Sequence, residues 1–139
     1  MSGNPAPNWQ PLSRLPMIAS LIEGQLGDAK DQLKTLSEAR HKPYALDDAI
    51  VAHTIKVYTE QSEFTWVFEE QLAKWQREEH LTPFQDIEIK RLQGQVEQWK
   101  ELLKIILELA EVLKHGTIEK VLAKDDLEMG IEALLRVGF

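Results

Sequence analysis

The chain has 139 residues, 43% hydrophobic and 28% charged, with 23 acidic side chains against 16 basic ones and a formal net charge of −7. That is one ordinary domain's worth of sequence, apolar enough to close a core without a metal or a disulfide. The absence of Cys excludes thiol catalysis, a disulfide scaffold and any Cys-ligated zinc or iron–sulfur centre, and the acidic balance lacks the basic footprint that phosphate binding requires.

No window approaches the ~18 consecutive apolar residues of a membrane-spanning helix, so no membrane partner is expected. The opening MSGNPAPNWQP has neither the basic start nor the apolar stretch of a secretory signal, which points to a cytoplasmic protein. Residues 1–11 hold Pro5, Pro7 and Pro11 together with Gly3, Asn4 and Asn8. They are expected to form a flexible N-terminal arm, followed by a single helical-bundle domain over 12–139. Trp9 is the one arm residue with enough apolar area to dock on something.

A first helix is expected from Ser13, as N-cap, to about Arg40–His41, with Pro16 tolerated in the first turn. Its stripe is Leu15, Ile18, Ile22, Gln25, Ala29, Gln32 and Leu36, with Leu12, Ala19, Leu26 and Leu33 on the same side. Gly24 and Gly27 fall inside this pattern at a cost of about 1 kcal/mol each relative to Ala. Because the stripe stays in phase across them, they predict a close helix–helix approach.

A second helix should start near Asp47 and Asp48, where the helix dipole favours negative charge. Its expected seam is Ile50, Thr54, Val57, Gln61, Phe64, Phe68, Gln71 and Trp75, flanked by Val51, Tyr58, Thr65 and Leu72. Thr54, Gln61 and Gln71 make that seam unusually polar, and pairing across helices would fix its register. The charged run 74–80 then loses the apolar pattern.

The sharpest local signal is Thr82-Pro83-Phe84-Gln85: a Thr cap, Pro at the first helical position and Gln three residues after the cap. The stripe that follows, Ile89, Leu92, Val96, Trp99, Leu103, Ile106, Ala110 and Leu113, keeps heptad spacing without a slip. Leu102, Ile105, Leu107, Leu109 and Val112 add apolar side chains on nearly every other face. A helix apolar all round is contacted on more than one side, so either the chain's own tail or a second subunit should cover it. In that tail, Thr117 could cap a short helix over 118–124, and Asp125-Asp126-Leu127-Glu128 resembles a capping box opening a last helix. Short connections force antiparallel neighbours. The expected fold is therefore all-α: an elongated antiparallel bundle of three long helices with two short C-terminal helices packed at one end.

Catalytic chemistry finds little support. Glu38 and His41 are the only Glu-x-x-His pair, whereas a di-iron bundle needs two. Glu111 and His115 stand one turn apart, but a helix C-terminus favours His115 on its own account. Glu60-x-x-Glu63 matches half of the carboxylate pattern with which all-helical nucleotide pyrophosphohydrolases hold Mg²⁺, and the Glu-x-x-Asp of the other half is absent. No Gly-x-Ser-x-Gly elbow and no Gly-rich phosphate loop occurs. A helix–turn–helix drawn through 117–136 would bring Asp126, Glu128 and Glu132 to the phosphates, so no nucleic-acid partner is expected.

What remains is surface. With no catalytic residues, no metal ligands and no cofactor expected, the sequence points to a non-catalytic interaction or structural protein. It would self-associate as a homodimer through Trp66, Leu102, Ile105, Leu109 and Val112 and dock a further protein partner. The alternative is a small-molecule- or metal-binding bundle, conceivably a metal-assisted hydrolase, with a pocket between helices near His53, Tyr58 and Gln61.

Overall fold

The computed structural model describes residues 7–42 and 46–115, and all its regular structure is helical. A single 3₁₀ turn, Leu12–Arg14, leads into α1 (Leu15–Arg40); α2 spans Asp48–Glu78 and α3 spans Pro83–Lys114. The two short C-terminal helices expected from Thr117 and Asp125 lie outside the described residues. No helix among the described residues is long and apolar enough to cross a membrane.

The expected caps of α2 and α3 are present. Asp47 accepts a hydrogen bond from the Ile50 N–H at 2.7 Å. Thr82 and Gln85 form the reciprocal capping box: the Thr82 hydroxyl accepts from the Gln85 N–H at 3.1 Å, and Gln85 Oε1 accepts from the Thr82 N–H at 2.9 Å. Each bond satisfies a helix-end donor that would otherwise lack a partner. Ser13 does not cap α1. It sits in the 3₁₀ turn, whose Arg14 N–H donates to Pro11 O at 2.9 Å, and no side chain caps the helix. The turn instead brings Leu12 against the core and leaves Ser13 exposed.

The three helices pack together unevenly. α1 and α2 each run along α3, yet their backbones scarcely approach one another. The heptad row of α3 is accordingly buried from end to end, from Ile89 and Leu92 through Trp99 and Ile106 to Leu113. In α1, Leu15, Ile18, Ile22, Leu26, Ala29, Leu36 and Ala39 are buried against it, while Gln25 and Gln32 drop to the edge.

In α2 the buried row is displaced from the expected seam. Val51, Tyr58, Thr65 and Leu72, expected as flankers, are buried, as are Thr54, Gln71 and Trp75, whereas Ile50 and Phe64 are exposed. The side of α2 that meets α3 is the best covered, and of the other apolar row Val57 and Phe68 are half-buried while Ile50 and Phe64 stay open.

The polar seam residues do not bond across helices either. Thr54 donates to Ile50 O of its own helix at 2.9 Å, Gln71 bonds the N-terminal segment, and Gln61 Oε1 has no partner. The interhelical amide pair is one position off that seam, between Gln76 and Gln93, whose side chains exchange bonds of 2.9 and 3.3 Å.

The close approach expected at Gly24 and Gly27 is overturned: both are solvent-exposed, and a Cβ added at either would meet nothing within 4 Å. Their lack of a side chain therefore costs helix propensity without admitting a neighbour. Gly24→Ala with Gly27→Ala should raise the unfolding free energy by about 1–2 kcal/mol in total. Urea titration reads this directly, and an unchanged or lower midpoint would mean that both positions are crowded in solution.

Candidate functional site

Residues 7–11 lie against α2. The Gln10 N–H donates to Gln71 Oε1 at 2.6 Å, and Gln10 O accepts from Gln71 Nε2 at 3.3 Å and from Trp75 Nε1 at 3.0 Å. The buried Gln71 amide is thereby satisfied by backbone in the manner of a strand partner. Trp9 then meets Trp66 edge to face, ring centroids 6.4 Å apart at 76°, a preferred aromatic arrangement. Trp66 is still 51% exposed. It borders an open groove of about 460 Å³ with Glu69, Glu70, Gln93 and Glu97. Lys100 bridges Glu69 and Glu97 at 3.1 and 3.6 Å, and Arg77 meets Glu70 at 2.6 Å.

The other residues expected at an interface form an uneven strip on α3. Val112 is 59% exposed and Ile105 is exposed, while Leu102 and Leu109 are half-buried. Ile105, Leu109 and Val112 share a shallow depression of about 400 Å³ with Leu33 of α1, bordered by Arg40 and Glu108. Trp66 stands apart from this strip. It borders the groove with Glu97, and the strip is the depression nearer the C-terminal ends of α1 and α3.

The three residues expected at a pocket separate. His53 is exposed. Tyr58 is buried, and that burial, reinforced by the negative charge of Asp28, pushes its phenol above the ordinary value. Gln61 lies one turn further along α2 and lines a cleft of about 350 Å³ between α1 and α2. Gln25 borders it from α1, Val57, Phe64 and Phe68 from α2, and Trp99 from α3, with Glu60 beside them.

Sequence reasoning did not place Trp99 and Phe68 in a site. Their rings meet edge to face, centroids 5.6 Å apart at 77°. Trp99 is 1% exposed, and neither its Nε1–H nor Gln61 Oε1 has a hydrogen-bond partner among the described residues. The available signal was the pair Gln25 and Gln61, two amides on apolar stripes of consecutive helices.

Among the described residues no three His, Asp or Glu side chains converge in a way that could hold a metal ion. The most tightly bound surface cation is Arg91, which joins Glu88 of its own helix to Glu23 of α1, the latter at 2.7 Å. Its guanidinium holds the Glu88 carboxyl below the usual range through their hydrogen bond. This is a tie between α1 and α3 on an exposed surface, where such pairs contribute little. No family model, curated protein or solved structure matches the chain.

Proposed function

We propose that this chain is a non-catalytic interaction protein that self-associates as a homodimer, with a second copy seated on the Ile105–Leu109–Val112 strip of α3. The observation that supports this reading is the pairing of open apolar surface with opposite charges at its border. Val112 and Ile105 are exposed there, and neither Arg40 nor Glu108 has an ion-pair partner among the described residues. A two-fold contact applies the same patch to itself, which would set Arg40 of one protomer near the partner's Glu108. Half-exposed Trp66, at the edge of the groove, is the seat this reading gives to a further protein partner. The finer architecture that accompanies it is an elongated antiparallel bundle with two short C-terminal helices at one end, in a cytoplasmic setting.

Native mass spectrometry of the full chain should show a dimer, and Leu109→Asp should convert it to a monomer with its helical circular dichroism intact. Arg40→Glu should weaken the dimer by roughly tenfold, with Glu108→Arg in the same chain restoring it, since a charge pair at such a contact is worth about 1–2 kcal/mol. A wild-type chain that stays monomeric at micromolar concentration would overturn the reading and leave residues 116–139 as the occupant of the strip. A charge reversal that is not rescued would reject the two-fold geometry.

A second reading, a small-molecule-binding bundle, is favoured by one specific observation: the unpartnered Trp99 Nε1–H and Gln61 Oε1, on two residues that line the α1–α2 cleft.

A further inference from the structure

We propose that the face of α2 carrying Gln71, Trp75 and Trp66 is a peptide-binding site, which takes a Trp–x–Pro segment of a partner protein and which residues 7–11 of the chain occupy in competition with it. The inference rests on the interaction reading and names the partner chemistry for its Trp66 seat; the homodimer contact uses other residues. Gln71 is 3% exposed, and an amide buried in that way is costly unless it is bonded. Among the described residues its bonds go to the backbone of Gln10, from whose N–H it accepts and to whose carbonyl it donates. Trp75 Nε1 donates to the same carbonyl. Two donors and an acceptor of α2 thus converge on the backbone groups of one residue. Main-chain bonds of this kind give a peptide site its affinity whatever side chain the bonded residue carries. Because the chain's own segment reaches all three atoms, they open onto the face where a segment lies.

The seated segment gives the ligand its chemistry. Recognition at Gln10 is by backbone, since its side chain turns back to donate to Asn8 O at 2.9 Å, so another residue in that place meets Gln71 equally well. Trp9 supplies the side-chain contact, edge to face on Trp66, and that geometry needs an aromatic ring. Pro11 follows with φ −69° and ψ 157°. A proline there disfavours helical backbone in the residue before it, and extended backbone is the form in which one residue offers its N–H and C=O to the same side. Residues 7–11 also leave part of the face unfilled. Trp66 stays half-exposed and borders the groove of about 460 Å³, whose lining includes Ala73 and Val96 but none of residues 7–11. A partner segment that runs on from its aromatic residue into this groove gains contact that residues 7–11 do not make. That surplus is what displaces a competitor tethered at high effective concentration.

The test follows the fluorescence anisotropy of a labelled, end-blocked Pro-Asn-Trp-Gln-Pro peptide, titrated with the full chain and with full-chain Trp9→Ala/Gln10→Pro. The double substitution removes the aromatic contact and the Gln10 N–H donor of the tethered segment, and leaves Gln71, Trp75 and Trp66 in place. It should bind the peptide roughly tenfold more tightly than the parent chain, because the competitor is weakened, with helical circular dichroism unchanged. Adding Trp66→Ala, at an exposed position, should weaken that binding several-fold. A peptide N-methylated at its Gln should bind roughly tenfold more weakly, the scale of one hydrogen bond. A peptide with Ala in place of Gln should bind about as well as the original. No gain from the double substitution, or equal binding of the N-methylated peptide, would overturn the site while leaving the dimer seen by native mass spectrometry in place. Loss of helical signal in the double variant would make residues 7–11 an integral part of the fold and overturn it as well. A monomeric chain that still binds the peptide would remove the homodimer and keep the site.

Discussion

Trp75→Ala should lower the unfolding free energy by about 3–5 kcal/mol, the scale of emptying a buried aromatic site. The indole is almost fully buried in the α2 row that meets α3, so truncation leaves a cavity that rigid helices on either side can fill only in part. It also donates to Gln10 O, and its loss leaves that carbonyl with the longer bond from Gln71 alone. The N-terminal segment should loosen with it, which the loss of the Trp9–Trp66 contact would report as a change in Trp fluorescence. Trp75→Phe separates the two contributions: it keeps most of the volume and removes the donor, and should cost about 1–2 kcal/mol. Against a total stability of ~5–15 kcal/mol, the alanine variant should show a much lower urea midpoint. A cost below about 1 kcal/mol would mean that the indole is not core.

Ile89→Ala and Ile87→Ala form the second large contrast. The two residues are identical and two positions apart in α3, yet Ile89 is 0% exposed and Ile87 is 67% exposed. A helix turns by about 200° over two residues, so one isoleucine faces the core and the other faces water. Ile89→Ala should cost about 2–5 kcal/mol, and Ile87→Ala should stay within about 0.5 kcal/mol of the parent. Equilibrium denaturation of both variants checks it. Equal costs would mean that α3 does not turn its Ile89 face to the core.

That orientation was readable from α3 alone. Its apolar residues keep one heptad row over the whole helix, Thr82-Pro83-Phe84-Gln85 marks where it begins, and two neighbouring helices demand the same central face. α2 was harder because it carries two apolar rows side by side. Period alone cannot say whether Phe64 or Thr65 turns inward; that depends on which sides other helices cover. Only α3 covers α2 fully, so Thr65 is buried and Phe64 is left at the edge of the cleft.

The N-terminal segment shows the same limit. Pro7, Pro11 and Asn8 exclude a regular element there, but nothing local to them specifies that Gln10 will meet Gln71, which stands 61 residues away. Gly24 and Gly27 misled for a related reason. A glycine in a periodic helix is equally compatible with a tight crossing and with open solvent, and only the position of the neighbouring helix distinguishes the two.

Of the cleft, the two glutamines on apolar stripes were visible and their convergence was not. Gln25 and Gln61 come together because of where α3 holds the two outer helices, and Trp99, an ordinary core residue by its spacing and only 1% exposed, lies beneath them. Composition, caps and hydrophobic period are local or one-dimensional properties. They determined that the chain is helical among its described residues, where α2 and α3 begin, and which face of α3 is buried. The rotation of α2, the docking of residues 7–11 and the cleft itself depend on the separation between helices, a long-range quantity set by how three sets of side chains pack at once. Only the tertiary structure decides it.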